Sequence, residues 1–131
     1  MNYELTILVY AIVLGIVHIV LASISASLQR GYRWTASARD IRPDPLTGVP
    51  ARLERALANF METFALFAAA VLIIEALDKH TALTHWGVDL YLYGRIAFLA
   101  LYALGVPLLR SLAWNVALVG IALLLIAALG G

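Results

Sequence analysis

Cysteine is absent from this 131-residue chain. That excludes a disulfide framework, thiolate metal sites, iron–sulfur ligation and any cysteine nucleophile carried by the protein itself. A thiol used here must arrive with a ligand. Charge is also scarce: only 13% of residues are charged, against about 25% in a soluble domain. With 63% hydrophobic residues, against roughly 45 to 50% in a soluble domain, too little polar surface remains to cover a water-facing globule. These deficits identify a membrane protein. The net charge of +1, on a chain that mostly faces lipid, gives no reason to expect a nucleic-acid partner. There is no G-x-S-x-G motif, no glycine-rich phosphate loop and no H-E-x-x-H.

What is present is long apolar runs. A helix rises about 1.5 Å per residue and the hydrocarbon core is about 30 Å thick, so roughly 20 apolar residues make one crossing. Four stretches qualify: 5–28, 52–77, 86–104 and 107–129. The expected fold is all-α, one integral membrane four-helix bundle of up-down topology spanning residues 1–131. The first stretch follows Glu4 with no Lys or Arg before it. Its length also exceeds the 7 to 15 residues usual in a signal peptide, so it is expected to be a retained helix. Gly105 and Val106 form a hinge, and Pro107 suits the first position of the last helix because its missing N–H would be unpaired there.

The one sizeable polar segment, 29–51, carries Arg30, Arg33, Arg39 and Arg42 among turn-forming Pro43, Pro45, Gly48 and Pro50. Arg52, Arg55 and Arg110 fall at the same end, whereas the opposite loop has only Lys79. The positive-inside bias makes this end cytoplasmic and both termini external, in the cell's inner (plasma) membrane. Trp34, Trp86 and Trp114 lie near span ends, as interfacial anchors do.

Ionisable residues inside the spans are costly and usually face protein or a wet cavity. On the second span Arg52, Arg55, Asn59 and Glu62 are spaced three, four and three apart, an arc of roughly 80°. On the third, Tyr91, Arg95, Phe98 and Tyr102 share roughly 60°. Two polar stripes can therefore face each other. A buried Glu62–Arg95 pair would by itself serve to fix helix register or hold subunits together. The additional Arg, Asn and Tyr side chains exceed what one structural pair needs. Such surplus donors suit an anionic ligand, because guanidinium fits carboxylates and stays charged.

Other polar residues read as structural. His18 lacks a partner at metal-ligand spacing and is expected to pack or face lipid. His80 and His85 are spaced unsuitably for a metal, and Glu75 is expected to be solvated. Ser23, Ser25 and Ser27 are expected to ease close helix packing.

The run from Arg55 through Asn59 to Glu62, opening the second of four helices after an Arg-bearing loop, resembles the R-x-x-x-N-x-x-E signature of the MAPEG superfamily. These are the membrane-associated proteins of eicosanoid and glutathione metabolism. Arg95 followed by Tyr102, then Pro107 and Arg110, looks like the family's second motif. The resemblance covers nearly the whole chain and is nearest to small bacterial members.

The resemblance implies a homotrimer that binds glutathione between subunits in a cavity open to the cytoplasmic side. Arg55, Asn59, Glu62 and Tyr102 would hold the tripeptide, with Arg52 and Arg95 on the same stripes, and Arg30 of an adjacent subunit could reach it. Arg110 would sit beside the sulfur and stabilise the thiolate. No metal is implied. Phe98 and Thr63 stand where leukotriene-type synthases place tyrosines, so eicosanoid chemistry is not supported. The expected partners are the bilayer, glutathione and a hydrophobic small-molecule substrate, for a transferase or peroxidase. The alternatives are a non-catalytic relative that binds a lipid or thiol, and a small four-helix drug exporter. Such an exporter carries its membrane-embedded glutamate on the first helix, which has none within the membrane here.

Overall fold

The computed structural model describes residues 1–41 and 43–130. Arg42, one of the basic residues of the polar loop, lies outside the described residues. The chain is all-helical in its regular structure: α1 (Tyr3–Arg30), α2 (Tyr32–Ala36), α3 (Gly48–Leu77), α4 (Ala82–Leu104) and α5 (Pro107–Leu129). Helices α1, α3, α4 and α5 are each long and apolar enough to cross a membrane, and the protein is a multi-pass membrane protein. The helices extend the expected spans by two to four residues at several ends. Polar caps account for part of that extension.

Asn2 caps α1, its side chain accepting from the Leu5 N–H at 3.0 Å. Thr81 and Thr84 form a reciprocal capping box on α4, which satisfies N–H groups that helix starts leave open. At the far end of α4, Gly105 adopts φ +75° and the Val106 N–H returns to the Leu101 carbonyl at 2.9 Å. This left-handed stop is one that glycine adopts freely. Pro107 then starts α5. Helix α2 was not expected. It folds the loop back beneath α1, tied by the Trp34 indole N–H to the Ile41 carbonyl at 2.7 Å. The Gln29 side chain completes the closure, donating to the Thr47 carbonyl at 3.0 Å and accepting from its N–H at 2.9 Å.

Helices α3 and α4 occupy the middle of the arrangement. Each meets the other and both outer helices, whereas α1 and α5 do not touch among the described residues. The stripe-bearing helices are therefore the ones that face each other. The main core joins Ala11 and Leu14 of α1, Phe67, Val71 and Ile74 of α3, Val88 and Tyr91 of α4, and Ile121 and Leu124 of α5. Tyr91 stacks on Phe67 with centroids 3.9 Å apart, and its hydroxyl meets that of Thr63 at 3.1 Å.

The α4–α5 pair is the most closely packed, and glycine permits it. A Cβ on Gly120 would lie 2.5 Å from the Gly87 carbonyl oxygen and 2.7 Å from the Tyr91 nitrogen. Backbone cannot yield as a side chain does, so Gly120→Val is expected to push the helices apart and cost about 1–3 kcal/mol, the usual overpacking penalty. Denaturation in detergent with helicity as the readout checks this. A fully stable variant would show that the contact is not a tight one.

At the end away from the polar loop, Glu4 is 1% exposed and accepts from the Thr84 hydroxyl at 2.7 Å. His80 and His85 approach it at 3.1 and 3.4 Å. Glu75 is half-buried rather than solvated, bonded to the Asn2 amide and 3.5 Å from His80. The α1 start is thereby fastened to the α3–α4 turn.

Candidate functional site

The polar stripes of α3 and α4 meet along the contact between the two central helices, from buried Arg95 to exposed Arg55. Arg55 donates from Nε to the Tyr102 hydroxyl at 3.2 Å. Arg95 donates from Nη1 to the Asn59 Oδ1 at 2.9 Å. Arg52 reaches past them and donates from Nε to the Ala103 carbonyl at 3.0 Å. That contact places positive charge on the last turn of α4, where the helix dipole favours it. Three of the four stripe residues on α3 are thus bound directly to α4.

The expected Glu62–Arg95 pair is not formed. Glu62 is exposed on the subunit surface, and Arg95 takes Asn59 as its oxygen partner instead. Arg95 is 0% exposed, its guanidinium carbon 4.1 Å from the Phe98 ring centroid and 5.5 Å from that of Phe60. Its Nε and Nη2 have no hydrogen-bond partner. Asn59 and two aromatic faces therefore hold a buried cation. His18 packs on the other member of this group, its ring stacked on Phe60 at 4.8 Å with both nitrogens unpartnered. The expectation that it packs holds; it does not face lipid.

The Asn59–Arg95 bond has a chemical consequence. Asn59 presents one acceptor and two donors. With its oxygen engaged by Arg95, the amide nitrogen is the end left for the neighbouring cavity. That cavity, about 250 Å³, is lined by Asn59, Phe98, Arg110, Ser111, Trp114 and Asn115. Arg110 is half-buried, with its guanidinium carbon 4.6 Å from the Tyr102 ring centroid. Arg55 lies over the same ring at 5.8 Å, and the Phe98 edge meets it at 5.3 Å. Tyr102 is accordingly the meeting point of two guanidinium groups from α3 and α5.

Among the described residues, the ion pairs within 4.0 Å all involve His80 or His85. Arg30, Arg52, Arg55, Arg95 and Arg110 have no carboxylate at that distance. This arrangement can accept an anionic, carboxylate-bearing molecule without breaking an existing salt bridge. Among the same residues, no cluster of three or more His, Cys, Asp or Glu is placed to hold a metal ion.

Arg30 stands apart from this cluster within one subunit. It ends α1 and lies over the Trp34 ring at 5.1 Å, lining two openings of about 510 and 390 Å³ beneath the loop. Arg55 lines the second of these, so the loop cavity runs from Arg30 to the edge of the α3 stripe.

Ser111, Trp114 and Asn115 were not anticipated as lining residues. Trp114 resembled an interfacial anchor by its position in the chain, but it faces the Arg110 cavity. A signal was available: in the strongly apolar α5, the polar residues Arg110, Ser111 and Asn115 recur at helical spacing.

The family model described as MAPEG family matches residues 7–130. No curated protein matches the chain.

Proposed function

The chain belongs to the MAPEG family, and on that premise we propose that it is a membrane-bound, glutathione-dependent transferase or peroxidase. Its second substrate is a lipophilic electrophile or hydroperoxide. The observation that carries the reading is the convergence of Arg55 and Arg110 on Tyr102 beside Asn59, with no carboxylate paired to either arginine. Glutathione brings two carboxylates, amide groups, an amine and the sulfur that this cysteine-free chain lacks. Arg55 takes a carboxylate, the Asn59 amide nitrogen donates to a carbonyl or carboxylate oxygen, and Glu62 pairs with the amine. Tyr102 and Arg95 order these groups, and Arg52 closes the rim at the end of α4. Arg110 sits beside the sulfur and stabilises the thiolate, whose attack on an electrophilic carbon forms a thioether as the leaving group departs or the adduct takes up a proton. Attack on a hydroperoxide oxygen instead breaks the O–O bond, releasing the alcohol and a glutathione sulfenic acid that a second glutathione converts to the disulfide and water.

Glu62 supports a homotrimer. A carboxylate halfway along a spanning helix and exposed on one subunit costs roughly 2.5 to 3.5 kcal/mol facing lipid. A neighbouring subunit covers it and brings its own Arg30 to the same cavity. In this reading the 29–51 loop is cytoplasmic, the termini are external and the host membrane is the inner (plasma) membrane.

Glutathione titration of the purified protein in detergent, followed by ultraviolet thiolate absorbance near neutral pH, tests the reading. Saturable binding with a thiolate signal is expected, and Arg55→Ala should weaken binding by roughly tenfold or more, as loss of a charge-assisted contact does. Binding without thiolate formation would instead favour a non-catalytic member of the family. Absence of both would sink the proposal.

A further inference from the structure

We propose that Asn115 of α5 is a specificity-determining contact for the second substrate, and that the group it selects is a hydroperoxide. The inference rests on the glutathione reading above and narrows it from electrophiles in general to one chemical class.

Arg110, Ser111, Trp114 and Asn115 all line the cavity next to Asn59. They share an arc of about 140° on α5, so one continuous face of that helix forms the wall. Asn115 is the ninth residue of the helix, about 12 Å from its start at 1.5 Å per residue, and it is exposed on the subunit. A polar side chain at that depth is costly against lipid and belongs in a wet or protein-lined space. The cavity beside it supplies one.

The helix itself fixes which way the amide points. Asn115 donates from Nδ2 to the Ser111 carbonyl at 2.9 Å. A carbonyl only accepts, so the nitrogen end must face it and the oxygen end must face away. An asparagine amide has one acceptor oxygen and two N–H hydrogens. With one hydrogen engaged on the helix, Oδ1 and the second N–H remain for a ligand. The Ser111 hydroxyl donates to the Pro107 carbonyl at 3.3 Å, which leaves its oxygen as an acceptor only. Arg110 and the Trp114 indole can only donate. Asn115 is therefore the residue of this wall that presents an acceptor and a donor together.

An O–O–H group is complementary to that edge. Its terminal O–H donates to Oδ1, and its alkyl-bearing oxygen accepts from the free N–H. The cavity, about 250 Å³, is smaller than the roughly 300 to 1,000 Å³ of a pocket that encloses a whole ligand. It holds the reacting head while the apolar remainder of the substrate stays among lipid chains. The thiolate beside Arg110 attacks the terminal oxygen, forming the S–O bond as the O–O bond breaks. The electron pair leaves on the alkyl-bearing oxygen, where the developing charge strengthens the bond from Asn115, and a proton from solvent completes the alcohol. The glutathione sulfenic acid then reacts with a second glutathione to give the disulfide and water. An aryl halide brings no hydrogen and leaves Oδ1 unpaired. Sites built to hydrogen-bond a substrate hydroxyl discriminate against analogues that lack it.

The test compares kcat/KM for cumene hydroperoxide and for 1-chloro-2,4-dinitrobenzene, each with glutathione, in the full chain in detergent. Every rate is divided by that of the uncatalysed reaction. The hydroperoxide should be accelerated more than the aryl halide, and the ratio of the two should fall about tenfold in Asn115→Leu, the scale of one or two hydrogen bonds. A second measurement needs no variant. The methyl-capped peroxide keeps the O–O bond and lacks the hydrogen, so the parent chain should accelerate it about tenfold less than the hydroperoxide.

An unchanged ratio in Asn115→Leu would overturn the inference, as would equal acceleration of the capped and uncapped peroxides. Should Asn115→Leu fail to fold, the capped peroxide decides alone. Conjugation of the aryl halide without peroxide turnover would overturn the inference and leave the glutathione reading standing. Absence of turnover with every substrate would instead remove the catalytic reading, and this inference with it.

Discussion

Arg110→Ala is expected to lower glutathione-dependent turnover about 100-fold, the scale seen when one preorganised electrostatic stabiliser is removed, with little change in glutathione affinity. A free thiol has a pKa of about 8.5, and it is the thiolate that attacks. Each unit by which the site lowers that value corresponds to about 1.4 kcal/mol of thiolate stabilisation. Arg110 lies in the fourth position of α5, so the positive end of that helix dipole reinforces its charge. It lines the 250 Å³ cavity and has no carboxylate partner to neutralise it. Its structural ties are the Tyr102 face at 4.6 Å and its own helix, so truncation should leave the bundle intact. Thiolate absorbance measured against pH separates the roles: the bound-thiol transition should move to higher pH in Arg110→Ala and partly return in Arg110→Lys, which restores charge without the planar fork. An unchanged transition in Arg110→Ala would remove Arg110 from the chemistry.

The parts of this architecture governed by local periodicity were legible in the sequence. Four apolar runs gave four long helices, and the Gly105–Val106–Pro107 break sits where a left-handed stop and a proline start meet. The stripe spacing on α3 and α4 also placed Arg55 and Tyr102, and Asn59 and Arg95, on facing surfaces. Partner choice was not legible, because periodicity fixes the direction of a side chain and not the depth at which two helices are offset. That offset gives Arg95 to Asn59 and leaves Glu62 outside.

Contacts between distant segments were equally hidden. Glu4, separated by 80 positions from Thr84, is buried against it and two histidines, although nothing in the spacing of His80 and His85 signals a shared partner. The clustering of Arg30 and Arg39 on Trp34 depends on α2 and on the turn at Arg39, neither of which has a strong apolar pattern. The tight α4–α5 contact is clearer in retrospect: Gly87, Gly94 and Gly120 are the small residues that let the backbones approach.

The second large effect concerns the buried cation. Asn59→Leu is expected to destabilise the bundle by about 2–3 kcal/mol, the scale for taking the hydrogen-bond acceptor from a buried charged group. Arg95 is fully buried, Asn59 is its one hydrogen-bonding acceptor, and two guanidinium nitrogens are already unpartnered. The aromatic faces of Phe98 and Phe60 contribute about 2 kcal/mol or more in such desolvated settings, but they are already engaged in the parent chain and offer no hydrogen-bond acceptor in place of the lost oxygen. Removing the charge together with its partner should behave differently. Arg95→Met keeps an unbranched apolar stem in the same space, and replacement of a buried ion by well-packed hydrophobic volume is often neutral or stabilising. The double variant should therefore recover most of the stability lost in Asn59→Leu, a coupling that a double-mutant cycle in detergent unfolding reads directly.

Function and stability should then separate. Without Arg95, nothing fixes which end of the Asn59 amide faces the cavity, so Arg95→Met should fold well yet bind glutathione about fivefold more weakly, the worth of one hydrogen bond. A cost below about 1 kcal/mol for Asn59→Leu, the scale of an ordinary hydrogen bond, would mean that Arg95 has another oxygen within reach. Glu62 is the residue to test next in that event, since a rotation of α3 that buried it would restore the charge pair that the stripe spacing allows.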